Sequence, residues 1–218
     1  TMAFLPNGSV VYQQYLNREP YSLVDVLTKY GYRCISMHPY YKTGWSRETN
    51  YPMIGFTESL FIEDFEQKDM IRNYVSDQEM FDKLIEKYEE KEPGEKLFLF
   101  GVTMQNHGGY KDSYDDFQID TYMTNGDYDD VDQYLSVAHQ TDSAVKNLIE
   151  YFENVEEKVI ICFFGDHQPS LQNAFYLQLN GYGLSGMNND ELENLFKVPF
   201  FIWTNYETET EEIECTSF

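Results

Sequence analysis

Apolar positions recur along the chain with two alternating periods. Ser22 precedes Leu23, Val24, Val26, Leu27 and Tyr30, and Gly31 follows them. A side-chain oxygen in front and a glycine behind predict a short helix between. Residues 33–37 then read as a strand. Ser76 and Glu79 have capping-box spacing, and Met80, Phe81, Leu84, Ile85 and Tyr88 form the apolar face of a second helix. Pro93-Gly94 ends it, and residues 97–103 are the next strand. The clearest helix carries Val131, Tyr134, Leu135, Ala138, Val145, Leu148, Ile149 and Phe152 on one stripe. It leads into residues 159–164, a strand with no polar alternation. A weaker helix at 189–196 precedes a fourth strand at 198–203. Strands apolar on both faces, each preceded by a helix, predict an α/β fold: doubly wound, with a largely parallel central sheet and helices on both faces. The polar stretch 108–130, rich in Gly, Asp, Tyr and Ser, is long enough to predict a functional loop. One domain is expected over residues 1–205, with 206–218 an acidic, frayed tail.

Composition narrows the possibilities. The 218 residues carry 15 basic and 38 acidic side chains, a formal charge of −23 that disfavours nucleic acid as a partner. A hydrophobic fraction of 42% excludes a disordered chain. The longest apolar runs, 97–100 and 159–164, fall far short of the roughly 18 residues of a spanning helix. No signal peptide is visible. Cys34, Cys162 and Cys215 cannot close a disulfide framework. Cys34 and Cys162 lie in strand-like runs and are expected to be small buried hydrophobes.

Candidate chemistry gathers at the strand ends. His38, His107 and His167 each stand just beyond the carboxyl end of an expected strand, the rim where open α/β sheets bind ligands. His139 lies inside the long helix and is expected at the surface or partly packed. In Gly165-Asp166-His167-Gln168-Pro169 a carboxylate and an imidazole leave a strand side by side. The pair suits a divalent ion, and a turn-capping Asp beside an incidental His would read the same way. The loop after the first strand adds Lys42, Trp45 and Arg47: a guanidinium fork for a tetrahedral anion and a ring to stack on a polyol or wall off a pocket. An ordinary surface loop is the alternative. Asn106-His107-Gly108-Gly109 supplies another donor and glycines that admit close backbone approach. The expected site brings the imidazoles of His38, His107 and His167 together with Asp166 around one oxyanion-sized hollow. With a charge of −23, only local cations would hold an anion there.

At Gly165-Asp166-His167, Asn106-His107-Gly108, His38 with Trp45-Ser46-Arg47, and Phe4-Leu5-Pro6-Asn7-Gly8-Ser9, the sequence resembles the sulfatase-like extracellular domain of lipoteichoic acid synthases. These are phosphoglycerol transferases of the alkaline phosphatase superfamily. The Val198-Pro199-Phe200 strand fits as well, so the resemblance runs from about residue 4 to about residue 205. It implies that Asp166 and His167 are two ligands of a single catalytic metal, usually Mn2+. It also implies that His38, Trp45, Arg47 and His107 line the pocket for a glycerol-phosphate head group of a membrane lipid or teichoic-acid-type polymer. In that family a threonine attacks the phosphodiester and a glycerol acceptor resolves the covalent intermediate.

The resemblance places that threonine, and the acidic residue completing the metal shell, upstream of Thr1, so no catalytic nucleophile is assigned in this chain. The expectation is a piece of a membrane-anchored protein on the extracellular face of a bacterial cytoplasmic membrane, binding metal weakly and inactive alone. Two alternatives stand beside it. One is a sulfatase or phosphodiesterase on the same scaffold; the other is a non-catalytic module that binds anionic glycopolymers.

Overall fold

The structure, a computed structural model, describes residues 11–214. Thr1, the 4–9 segment and Cys215 lie outside the described residues. The chain gathers into two compact units, Thr1–Gln105 with Thr210–Phe218, and Asn106–Glu209.

In the first unit, a short helix α1 (Val11–Gln14) precedes α2 (Leu23–Lys29). Ser22 caps α2 as expected: its hydroxyl accepts from the Asp25 N–H at 3.1 Å, and the Asp25 carboxylate accepts from the Ser22 N–H at 2.9 Å. Gly31, at φ 81°, turns the chain into β1 (Tyr32–Met37). The helix α3 (Arg47–Ile54), β2 (Glu58–Leu60), the hairpin β3 (Met70–Ile71) and β4 (Tyr74–Val75), α4 (Asp77–Glu89) and β5 (Lys96–Gly101) follow. The strands β2, β1 and β5 form a parallel sheet in that order. Cys34 faces α2, its Sγ 3.6 Å from the Thr28 hydroxyl. There it joins a cluster with Val24, Tyr51, Phe56 and Phe61, against which Phe98 and Phe100 pack. On the opposite face Ile35 and Met37 are wholly buried, and α4 covers Gly101. A Cβ at Gly101 would meet Met80 Cε at 2.5 Å. Both faces of this sheet are therefore clothed by helices, as the apolar runs predicted.

The cap of α4 departs from the expected box. The Ser76 hydroxyl does accept from the Glu79 N–H at 3.0 Å. The Glu79 carboxylate, however, reaches the N–H groups of Gln67 and Asp69, at 2.6 and 2.9 Å, so it ties down the preceding loop instead of the cap. Ser76 is wholly buried and also donates to Asp69 at 2.5 Å. Ser76→Ala is expected to cost about 1–2 kcal/mol, read as a lowered midpoint in urea with an unchanged slope.

The second unit contains the long loop, the helix α5 (Asp129–Glu153), β6 (Ile160–Phe164), α6 (Asn173–Asn180), α7 (Asn189–Asn194) and β7 (Phe200–Thr204). The 106–128 segment is strapped to α5. Ser136 accepts from the N–H groups of Asp120 and Thr121, Asp132 from that of Met123, and Gln133 donates to the Asp112 carbonyl. Tyr110 and Phe117 are buried beneath it. His139 is exposed on α5 and lies 3.4 Å from Asp120. Asn205 closes the turn between α5 and β6, accepting from Val159 and donating to the carbonyls of Val155 and Glu157.

Two expectations for this region are corrected. The fourth strand, β7, runs antiparallel to β6, with Cys162 opposite Ile202 and Phe164 opposite Phe200. Second, β6 is not covered on both faces. Phe163 stacks on Phe201 on one side, at 5.4 Å, while the other side shows Ile160 and Ile202, each 63% exposed. Cys162 shares that outer face and is exposed, whereas Cys34 is buried as expected. An unbroken apolar run marks a strand but does not by itself say which faces are covered.

Candidate functional site

The first cluster is built at the carboxyl end of β1. His38 extends the ladder by one step, its N–H donating to Leu60 O at 2.9 Å. Pro39 has no N–H to continue it, so the chain leaves the sheet there. The loop is fixed by its own backbone: Gly44 N–H to Tyr41 O at 2.8 Å, Ser46 N–H to Thr43 O at 3.0 Å, Ile62 N–H to Tyr40 O at 3.1 Å. Trp45 and Ser46 then take left-handed conformations, φ 52° and 55°. For non-glycine residues each costs on the order of 1 kcal/mol or more, and such strain persists where the surroundings impose it. The result is that α3 starts with Arg47 pointing inward.

His38 is wholly buried, and Arg47 is 7% exposed. The His38 Nδ1–H donates to Val102 O at 2.8 Å, since a carbonyl can only accept, so Nε2 carries the lone pair. Arg47 Nη1 donates to that lone pair at 2.9 Å, and its Nε donates to the Tyr51 hydroxyl at 2.8 Å. Trp45 closes one side, with the guanidinium carbon 4.6 Å from its ring centre. Every partner of this buried cation is neutral; among the described residues no carboxylate pairs with it. A guanidinium has five donors, and among the described residues hydrogen bonds to protein groups engage only two of them. A buried cation with neutral partners is expensive to keep on its own, and a guanidinium fork can accept a tetrahedral anion.

The second cluster lies on the turn after β6. Gly165 N–H donates to Pro199 O at 3.2 Å, the Gln168 amide donates to the Lys197 carbonyl, and Gln172 grips Asp130 through its N–H at 2.8 Å and its side-chain amide at 2.6 Å. On this pinned turn the His167 Nδ1–H donates to Gln168 O at 2.9 Å, which leaves Nε2 as the lone-pair donor. That nitrogen lies 3.6 Å from Asp166 Oδ2, and the side chains are 74% and 78% exposed. The Asp166 carboxylate accepts no backbone N–H among the described residues, so it does not cap the turn. Two ligands bonded to one ion at about 2.1 Å each can lie up to about 4 Å apart, so the separation fits a shared divalent ion. A backbone carbonyl holding the far nitrogen is the usual way a ligating imidazole is oriented. Among the described residues no third His, Cys, Asp or Glu joins them. They supply two donors and not a closed shell. His107 is exposed at the start of the long loop, next to Asn106, whose amide donates to Thr141 at 2.6 Å.

The structure thus brings His38, Trp45 and Arg47 together in one unit, and Asp166 and His167 together in the other. Two members of the first cluster were missing from the sequence reading. Tyr51 could have been found from its i,i+4 spacing to Arg47 on a helix. The Val102 carbonyl carries no side-chain signal at all.

A sequence model of the sulfatase family matches residues 2–216. The chain belongs to that family. Among relatives of this sulfatase-family chain, the capsular polysaccharide biosynthesis protein RkpI of Rhizobium meliloti is 30% identical over 148 residues, 67% of this chain and 26% of the relative. Lipoteichoic acid synthase 1 of Bacillus subtilis is 27% identical over 180 residues, 78% of this chain and 26% of that protein. In structure, the Streptococcus pyogenes phosphoglycerol transferase GacH, solved with sn-glycerol-1-phosphate, superposes with a TM-score of 0.68 at 20% identity. The match covers 93% of this chain and 51% of GacH. The chain therefore spans about half the solved structure and about a quarter of these two relatives. Its fold is the one GacH has, and its sequence relatives include a lipoteichoic acid synthase. No helix among the described residues is long and apolar enough to cross a membrane.

Proposed function

We propose that this chain is the substrate-holding part of a metal-dependent phosphoglycerol transferase that works on glycerol-phosphate head groups outside the cytoplasmic membrane. The observation that carries this reading is the buried Arg47 guanidinium, oriented by His38 and Tyr51, walled by Trp45 and lacking an anionic partner among the described residues. A phosphodiester supplies the missing charge and accepts from the spare N–H groups in a fork geometry. His38 does not take a proton in this scheme. Its two nitrogens are engaged by Val102 and Arg47, so it is a strut that aims the guanidinium. Asp166 and His167 would hold a divalent ion, Mn2+ in the simplest reading, completed by ligands beyond this pair. When bound, such an ion supplies charge neutralisation at phosphoryl oxygens and lowers the pKa of an attacking hydroxyl. An overall charge of −23 makes these local cations necessary for holding an anionic substrate.

The test is calorimetric titration with sn-glycerol-1-phosphate and with a small sulfate monoester, with and without Mn2+. Saturable binding of glycerol phosphate, tightened by Mn2+, is expected. Binding of the sulfate ester alone would replace this reading with a sulfatase.

A further inference from the structure

The chain leaves the Asp166-His167 turn on an excursion unlike the rest of its surface. Residues 168–189 contain no Asp, Glu, Lys, Arg or His, in a protein with 24% charged residues and a net charge of −23. Its base is tied down: the Gln168 amide donates to the Lys197 carbonyl, and Gln172 holds Asp130. Beyond the base come α6, a 3₁₀ turn (Leu184–Gly186) and α7, and none of the three buries a residue. Toward the far end of α6, Leu179 is 65% exposed and Leu177 48%; Tyr182 and Leu184, just after it, are exposed as well.

Polar groups within the segment hold this tip in shape. The Asn173 carboxamide oxygen accepts from the Leu184 N–H at 2.9 Å, and a Cβ on Gly183 would meet that oxygen at 2.5 Å. Gly181, at φ 78°, turns the chain out of α6. The Tyr182 hydroxyl donates to Glu191, and Asn188 and Glu191 cap α7 reciprocally. Phe175 is half-buried, its ring edge-on to Tyr128 at 6.0 Å. The leucines are thus presented by a preformed frame, which lowers the ordering cost of docking. Charge decides what docks. A protein partner for an acidic chain is selected through complementary charge, and residues 168–189 offer none. A second copy would bring another −23. A lipid surface takes apolar side chains without any such match, and an uncharged stretch is where an acidic protein approaches anionic head groups at least cost.

We infer that the uncharged tip at 177–184 docks onto a lipid surface, with Leu177, Leu179 and Leu184 entering its apolar boundary. The inference uses none of the side chains assigned to the anion or the metal, and it stands or falls apart from the glycerol-phosphate reading.

The test is flotation of the full chain with phosphatidylcholine vesicles, which should carry the protein into the lipid layer. Leu179→Asp should lower the partition coefficient by about tenfold or more, since an apolar side chain leaves the lipid and a charge replaces it. Ile202→Asp is the matched control: Ile202 is as exposed, on the outer face of the β6–β7 pair, and its variant should float like the parent. Replacing about a third of the lipid by phosphatidylglycerol should weaken binding at low salt, and added salt should restore it, because the net charge repels the anionic surface. A second readout does not depend on a charged variant. With Cys162 and Cys215 replaced by serine, Leu179→Cys carrying an environment-sensitive dye should shift its emission to the blue when vesicles are added. The inference is overturned if the parent does not float, if Ile202→Asp rather than Leu179→Asp abolishes flotation, or if the dye at position 179 does not respond. A dimer lost in Leu179→Asp, without flotation of the parent, would overturn it in favour of a second copy. Calorimetric binding of sn-glycerol-1-phosphate should be the same in Leu179→Asp as in the parent; its absence from both, with flotation intact, would overturn only the function proposed above.

Discussion

Arg47→Met is expected to weaken glycerol phosphate binding by at least about 100-fold while leaving the thermal midpoint unchanged or slightly raised. Two forces act in opposite directions. The substitution removes the hydrogen bonds to His38 and the Tyr51 hydroxyl, worth about 1 kcal/mol each. It also removes a buried cation with only neutral partners, whose desolvation is a standing cost in the ligand-free protein. These roughly cancel, because methionine refills most of the volume. Binding has no such compensation. Two charge-assisted hydrogen bonds to a phosphate in a dry pocket are worth about 3 kcal/mol or more, a factor above 100. A structural arginine would show the opposite: a midpoint lowered by several degrees, with binding intact. Calorimetric titration and a thermal melt on one sample distinguish the two.

The double substitution Asp166→Ala with His167→Ala is expected to lower Mn2+ affinity by at least roughly 100-fold, with no change in the urea midpoint. Both side chains are largely solvated, and among the described residues the carboxylate holds no backbone group, so little folding energy depends on them. Their joint loss removes both donors of the turn, an effect larger than the 10–100-fold usual for a supporting residue alone. Electron paramagnetic resonance of free Mn2+ in a titration reads the affinity directly. Unchanged affinity in the double variant would end the case for a metal at this turn. A lowered urea midpoint would return Asp166 to a structural role.

Legibility from sequence followed the range of the interactions involved. The helices α2 and α5 were evident because caps and apolar periodicity act over a few residues, and His38 was placed at a strand end because β1 is short and bounded. The pairing of β6 with β7 was not evident. Direction depends on the path the chain takes between them, and residues 165–199 carry no local code for it. The Glu79 carboxylate looked like half of a capping box because the spacing was right, yet two loop N–H groups won it. The inward aim of Arg47 depends on Trp45 and Ser46 in left-handed conformations, which intrinsic propensity disfavours. Sequence rules failed there because local preference had been overridden, as is common at ligand sites. The guanidinium was legible as a type of chemistry; its burial and its choice of neutral partners were not.

The unequal settings of two cysteines make the molecule its own clock for opening. Cys162, on the outer face of β6, is open to an alkylating reagent in the native state, whereas Cys34 is sealed between α2 and the parallel sheet. With Cys215 replaced by serine, the first alkyl group marks the intact protein. The second can arrive only when the β2-β1-β5 sheet parts from its helix, so the delay between the two mass increments measures how often the scaffold behind the anion pocket comes undone.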